Sequence, residues 1–440
     1  MKKAVRSSPV TVAVLAALVL AGLGLRVGYA IEQPSTPPPD AGAYARIAEN
    51  LYRHGSFDAR PEGVQREVQP SSAYSPGLPL LVAGVYWLSG GVHPTLALVL
   101  LALLGAAAIP MAYLLGRRFG GEIAGLVAAA ALAFYPALLD YQGMLLTEPL
   151  AAFLLSAALV VYFRAADGAA WAWLGSGVLF GLLALVRPEY LLFAFLLPLL
   201  WLGREALRGR VRPAAAPVAV SLLATAVVLA PWTVRNAIVL DRFVPVSTGG
   251  GKALFIGTYL DADGDAVKLR RLLLSRRPAL RARLAAGGAL DDPDRLVLER
   301  VLARVAAQSY PGLETDAALS RLGRRNLEDD ITEEPLRFTG MLASKSYETW
   351  TDAARAVMLK EPWRALQLTI VILALAGLAV LAFRRRFELV AGLTLLYMTA
   401  IGALLIASPR RELMVLPLLA ALAGTAVAAG RDSLARRWAG

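Results

Sequence analysis

Pro37-Pro38-Pro39-Asp40-Ala41-Gly42-Ala43-Tyr44 comes shortly after the first long apolar run of the chain, Val10–Ala30, and opens a short amphipathic segment. The prolines end one helix and start another. Tyr44, Ile47, Ala48 and Leu51 then share one helical face, and Arg46, Glu49, Asn50 and Arg53 share the other. Gly55 stops the run. The pattern predicts a helix over Ala41–His54, lying at a membrane surface with Asp40 at its start. As a helix cap, Asp40 would contribute ~1 kcal/mol. A carboxylate held at the membrane edge is equally a chemical tool, and both readings stand.

Composition places this segment in a polytopic membrane protein. The 440 residues are 57% hydrophobic, and mean hydropathy is +0.56. Cysteine is absent, which excludes disulfides, thiolate metal sites and a cysteine nucleophile. His54 and His93, the two histidines, lie in different segments, against a histidine metal site. The net charge of +12 does not imply a nucleic-acid partner, because most arginines flank apolar runs.

Apolar runs able to span are Val10–Ala30, Thr95–Leu115, Ile123–Leu139, Leu150–Phe163, Trp171–Val186, Leu191–Leu202, Ala214–Ala230, Leu366–Phe383, Leu389–Ile406 and Leu413–Ala429. Basic turns at Arg117-Arg118, Arg204 to Arg212 and Arg384-Arg385-Arg386, with the basic tail and N-terminus, set the cytoplasmic side. The count closes if Gly77–Leu88 does not cross, so it is read as a juxtamembrane or re-entrant helix. The expected fold is an all-α polytopic membrane protein of about ten transmembrane helices. Residues 1–231 form a transmembrane module with a first outer loop at 31–94. Residues 232–362 form a large, partly helical outer loop, and 363–440 the last spans and a cytoplasmic tail. Both termini are expected inside, with the first helix uncleaved.

Several motifs face outward in this topology. Leu146-Thr147-Glu148-Pro149 sets a second carboxylate at a helix start, with Thr147 as a possible cap. Pro70-Ser71-Ser72-Ala73-Tyr74-Ser75-Pro76-Gly77 is a rigid turn. Arg187, Arg235, Arg410 and Arg411 sit at outer span ends, against the positive-inside bias. Charge at such depth is costly, and a guanidinium fork suits phosphate. Local pairing, Arg187 with Glu189 and Arg411 with Glu412, is the plain alternative. Asp261, Asp263 and Asp265 resemble the start of a calcium loop, but Leu272 stands where a closing Glu is needed. No cofactor is required by these motifs; a divalent cation is compatible with them.

Taken together these residues resemble the GT-C membrane glycosyltransferases, in the branch that holds protein O-mannosyltransferases and the lipid A aminoarabinose transferase. Asp40, Tyr44, Ala48, Leu51, Gly55 and Phe57 are similar to that branch's first outer loop, and Tyr74 to Leu81 to its proline-rich juxtamembrane segment. Gly116 to Gly120 resembles its first inner turn. Leu146 to Pro149 resembles its acidic T-D-P segment, with Glu148 for the usual Asp. Pro231 to Asn236 with Phe243 to Thr248 resembles the start of its large loop, and Ser408 to Pro417 its last span, with Arg411 where an aromatic residue is common. Residues 261–340 match nothing in the branch.

The resemblance implies a hexosyl- or pentosyltransferase of the cell envelope, in the bacterial inner membrane with its active site on the outer, periplasmic face. The partners implied are a polyprenyl-phosphate-linked sugar donor, membrane lipid, and an acceptor that is protein, lipid or glycan. It implies Asp40 as general base, Glu148 as an orienting acid, Arg187, Arg235, Arg410 and Arg411 on the donor phosphate, Tyr44, Tyr74 and Glu189 on substrate, and inversion at the anomeric carbon. A transporter or flippase of a lipid-linked anion remains a rival reading, as does a ligase using a diphosphate-linked glycan. A transporter would be expected to carry internal repeats and broken helices in matching halves, which the sequence does not display.

Overall fold

Proline-started apolar helices dominate the computed structural model, which describes residues 8–33, 37–59, 72–279, 281–282, 295–352, 356–384, 388–406, 408 and 410–439. Pro70, Ser71, Arg385 and Arg386 from the sequence reading lie outside those residues. The chain divides into two compact units. Unit 1 is Met1–Val246, Ala353–Leu395 and Glu412–Gly440; unit 2 is Ser247–Asp352 with Leu396–Arg411.

Unit 1 begins with α1 (Pro9–Glu32) and α2 (Pro39–His54), followed by α3 (Gly77–Ser89) and α4 (Pro94–Gly120). The Ser8 side chain accepts from the Thr11 N–H at 3.1 Å, and Pro9 takes the first helical position, where its missing N–H costs nothing. Helices α5 (Glu122–Phe134) and α6 (Pro136–Asp140) lie in a broken pair bent by 48°. Then come α7 (Thr147–Ala166), α8 (Ala170–Val186), α9 (Leu191–Ala206) and α10 (Val211–Leu240). Helix α8 is tied to α10 by Thr225, whose hydroxyl donates to the Gly177 carbonyl at 3.0 Å, and by a Ser176–Ser221 hydroxyl pair at 3.3 Å. Such small polar contacts hold helices together where lipid gives no hydrophobic drive.

The apolar runs of the sequence lie in helices, apart from the break at Tyr135 and the residues after Leu404. Among the described residues six helices are long and apolar enough to cross a membrane, or seven counting the bent pair. The chain is a multi-pass membrane protein. The expected ten spans are reached only by adding α8, α9 and α17 (Leu389–Leu404), of 17, 16 and 16 residues. These fall short of the ~20 residues that span a bilayer upright. The 13-residue α3 is too short to cross, in keeping with its reading as a juxtamembrane helix. Helix α10 runs to Leu240, so Trp232–Asn236 belong to a helix and not to the loop expected from 232. Pro231 is accommodated inside it, as membrane helices commonly allow.

The break after α5 exposes carbonyls that Pro136 cannot help to satisfy. Arg26 of α1, fully buried, supplies the donors. Its Nη1 donates to the carbonyls of Gly22 at 3.0 Å and Ala133 at 3.1 Å, and its Nη2 to Leu132 at 2.8 Å. An intramembrane arginine is thereby explained without a ligand.

Unit 2 is a helical cluster. It contains α11 (Gly250–Gly257), α12 (Ala266–Ser275), α13 (Arg295–Ser309), α14 (Thr315–Glu333) and α15 (Pro335–Thr351). Phe255, Leu269, Leu273, Val301, Leu302 and Leu319 form its core. The remaining helices are α16 (Trp363–Phe383), which belongs to unit 1, and α17 and α18 (Arg410–Ala439), which contribute to both.

Removal of the Arg26 donors leaves buried carbonyls unpaired, at about 1–3 kcal/mol for each bond lost. Arg26→Leu should lower the thermal unfolding midpoint of the purified protein in detergent by several degrees. An unchanged midpoint would show that the break is satisfied some other way.

Candidate active site

Basic turns follow α4, α9 and α16; the site is built at the opposite ends of the helices, inside unit 1. Glu148, fully buried, is the second residue of α7. Leu146 occupies the cap position, so Thr147 does not cap; its hydroxyl instead lies 3.5 Å from Glu148 Oε2. Glu148 Oε1 meets Arg187 Nη2 at 2.8 Å, while Glu189 Oε1 stands 3.8 Å from Nη1. Arg187 therefore pairs first with the distant Glu148 and only loosely with the Glu189 of its own turn. Arg187 Nε is buried with no hydrogen-bond partner among the described residues.

Arg187 sits where α8 stops and a 3-10 turn, Pro188–Tyr190, leads into α9. Gly77, at the head of α3, packs against this corner. A Cβ there would fall 2.6 Å from Val186 Cγ2 and 2.9 Å from the Val186 nitrogen, so no side chain fits. The turn Tyr74-Ser75-Pro76 is thereby set beside Arg187. Tyr74 meets Tyr44 of α2 edge to face, with ring centroids 5.6 Å apart. Tyr44 and the fully buried Tyr190 are both within electrostatic reach of the Arg187 guanidinium. Tyr190 was not singled out by the sequence; standing three residues after an arginine is too common a pattern to mark it.

Asp40 proves to be the second residue of α2, not its cap. Pro39 takes the first helical position and Pro38 the cap, and no side chain caps the helix. Asp40 and Tyr44 are spaced i, i+4 and so lie on one face of α2. The face read as apolar is buried: Ile47 and Ala48 are 1% and 0% exposed. The polar face also has partners within the protein. Arg46 Nε donates to the Ala59 carbonyl at 2.7 Å, and Asn50 Nδ2 to the Asp58 carbonyl at 2.8 Å. Helix α2 is thus a packed part of unit 1, with Gly55 (φ 65°) closing it.

The other expected residues lie elsewhere. The Arg235 guanidinium lies over the Trp232 and Phe57 rings, 4.8 and 5.7 Å from their centroids, and its Nη1 donates to Asn236 Oδ1 at 3.0 Å. Asn236 in turn accepts from the Ser72 hydroxyl at 2.7 Å and donates to the carbonyls of Val244 and Val246. Trp232 Nε1 donates to Val246 as well. Trp232–Asn236 therefore fasten the first loop and the segment after α10. Glu412 does not pair with Arg411. It accepts from the Tyr135 hydroxyl at 3.2 Å and from Gln367 Nε2 at 3.0 Å.

Arg410, Arg411 and the acids of 261–265 belong to unit 2. Arg411 Nη1 donates to the Ile406 carbonyl. Each acid has a protein partner: Asp261 pairs with Arg276 and Arg337, Asp263 with Lys268, and Asp265 caps α12 through the Lys268 N–H. No cluster of carboxylates and histidines able to hold a metal occurs among the described residues. Lys345 of α15, 1% exposed, donates to the Gly257 carbonyl at 2.7 Å. Burial, with Arg411 nearby and only Glu348 opposing, brings its pKa from the ordinary 10.5 down to about 8.

Residues 73–232 match the family model of dolichyl-phosphate-mannose-protein mannosyltransferases. Over 98% of its length the chain superimposes on the archaeal oligosaccharyltransferase AglB of Archaeoglobus fulgidus, solved with an inhibitory peptide and a dolichol-phosphate, with a TM-score of 0.54 at 16% identity. The chain has the GT-C membrane glycosyltransferase fold. The apo form of the A. fulgidus oligosaccharyltransferase gives a TM-score of 0.56 at 17% identity over 98% of this chain. In both, the chain spans 51% of the larger protein's length. ArnT from Cupriavidus metallidurans, bound to undecaprenyl phosphate, aligns over 96% of this chain and 78% of its own at 15% identity, with a TM-score of 0.40, too loose to carry the comparison further. Among curated proteins none matches.

Two outcomes follow from this geometry. Breaking a buried ion pair strands its partner at a cost of about 3 kcal/mol or more. Glu148→Ala and Arg187→Met should each destabilise the protein strongly, and the double variant by less than their sum; additive losses in an unfolding cycle would contradict the pairing. For Lys345 the sign follows from its lowered pKa. Below pH about 8 it is charged in the native and the unfolded chain, and the native state bears the desolvation cost. Between about 8 and 10.5 only the unfolded state keeps the proton, so stability rises with pH. Melting curves at pH 7 and 9.5 should show wild type gaining on Lys345→Met; a constant gap would contradict this.

Proposed function

We propose that the chain transfers a sugar from a polyprenyl-monophosphate donor to an acceptor hydroxyl, with Asp40 as general base and inversion at the anomeric carbon. The observation that carries this reading is the Glu148–Arg187 pair, 2.8 Å apart, with Tyr44 of the Asp40 helix beside it. It sets a fixed cation and a carboxylate-bearing helix at one end of the membrane helices. The family match over 73–232 and the fold support the reaction class.

In the proposed step the acceptor oxygen attacks the anomeric carbon and its proton passes to Asp40. The bond from that carbon to the phosphate oxygen breaks, and polyprenyl phosphate leaves as an anion. It needs no protonating acid, so one carboxylate suffices for proton transfer. Arg187 faces the developing phosphate charge. Glu148 keeps Arg187 in place, a role other than the expected orientation of acceptor or cation. Tyr44 and Tyr74 form the wall nearest the sugar. Arg235, committed to Trp232, Phe57 and Asn236, takes no part, and Arg410 and Arg411 are not needed for the step. We place the protein in a bacterial inner membrane with the site on the outer face and both termini inside, because the basic turns lie at the opposite helix ends.

Loss of a general base typically costs 10²–10⁴ in rate. Asp40→Asn should lose transfer on that scale while still binding donor, because Arg187 is untouched. Transfer by Asp40→Asn at the wild-type rate would remove Asp40 from the mechanism.

A further inference from the structure

Helix α3 starts against the Arg187 corner and carries no charged residue. One side of it is packed. Leu78, Val82, Ala83 and Tyr86 are buried, and Tyr86 meets Tyr52 of α2 edge to face, with ring centroids 6.2 Å apart. The other side is apolar and open: Trp87 is 53% exposed and Leu88 92%. Gly77, Leu81, Gly84 and Leu88 are spaced four, three and four residues apart, which sets them in one line along the helix. That line meets the corner at Gly77, where a Cβ would strike Val186. The open stripe therefore begins beside Arg187 and leads away from it.

Midway along the stripe is a notch. A Cβ added to Gly84 would meet nothing within 4 Å. Leu80 and Leu81 stand one turn before it, and Trp87 and Leu88 one turn after, so four large apolar side chains rise around a gap. From Gly77 the notch is about 10 Å along the helix axis, and Leu88 about 16 Å. A helix that crosses the membrane shows lipid an apolar side along its whole length. The 13-residue α3 is too short to cross, and its open side ends at a guanidinium. The exposed Trp87 suits the boundary between lipid and water.

We infer that the open stripe of α3 is the track of the donor's polyprenyl chain, which leaves the phosphate at Arg187 and crosses the notch at Gly84. The track rests on the transfer reading for one point, the place of the phosphate. One molecule carries both groups. With its phosphate at Arg187, its chain must leave over apolar surface continuous with that corner, and the stripe is such a surface. Chain length then matters: a carrier that ends short of about 10 Å from the corner cannot cross the notch.

The test titrates full-length protein in an uncharged detergent with undecaprenyl phosphate and, separately, the short geranyl phosphate, and reads binding without transfer. Both carriers meet the same micelles, so partitioning cancels between variants. Wild type should bind undecaprenyl phosphate at least tenfold more tightly. Gly84→Leu fills the notch and should cut that preference at least fivefold. Gly24→Leu in α1, where a Cβ also meets nothing, should keep the wild-type preference. If Gly84→Leu fails to fold, Leu88→Gln at the far end of the stripe takes its place. Equal binding by wild type, or a preference that survives Gly84→Leu, overturns the inference. The same loss in Gly24→Leu also overturns it, in favour of contact with bulk lipid. Sugar transfer is assayed separately. A wild type with the expected binding pattern and no product sinks the transfer reading and leaves the track, whereas product formation with a preference that survives Gly84→Leu sinks the track alone.

Discussion

A buried carboxylate–guanidinium pair, Glu148 with Arg187, is the constraint on which the site depends. Burying either charge alone would be prohibitive, so the start of α7 and the end of α8 must arrive together. Their meeting fixes the corner at Pro188–Tyr190, and α3 can then approach closely enough to require glycine at position 77. Tyr74, Tyr44 and the first turn of α2 follow from that approach. The chain thus spends a long-range ion pair on positioning and leaves Asp40, one turn from Tyr44, at the edge of the assembly.

A second economy is visible in the arginines. Arg26 satisfies a helix break, Arg235 clasps aromatic rings, and Arg187 is held by acids. One residue type therefore solves three different problems at membrane depth. Position against the bilayer alone cannot separate them; the partner does. The acids of 261–265 teach the same lesson, since each is matched to a separate cation or helix start.

Much of the fold was legible because apolar length and proline placement are local signals. The spans fall where the runs do, and α3 stops short of crossing. Misreadings arose where a local rule competed with a near neighbour. Asp40 looked like a cap until Pro39 took the first helical position. Trp232–Asn236 were placed in a loop because the long polar stretch begins there, yet α10 continues through Pro231, as membrane helices allow. Arg187 and Glu412 were matched to residues one or two positions away, whereas Arg187 meets Glu148 of α7, and Glu412 meets Tyr135 and Gln367. Pairings over such sequence distance leave no periodic trace, so Tyr190, Lys345 and the Arg26 carbonyl contacts were invisible before the structure.

The central claim is that this protein makes a glycosidic bond from a lipid monophosphate donor. The most direct test is product analysis with the purified wild-type protein in vesicles, supplied with labelled polyprenyl-monophosphate sugars, their diphosphate counterparts and an envelope extract as acceptor source. The account predicts a new covalent sugar–acceptor product from a monophosphate donor, with release of polyprenyl phosphate. A product from diphosphate donors alone, or movement of intact lipid-linked sugar across sealed vesicles without any new bond, would contradict it.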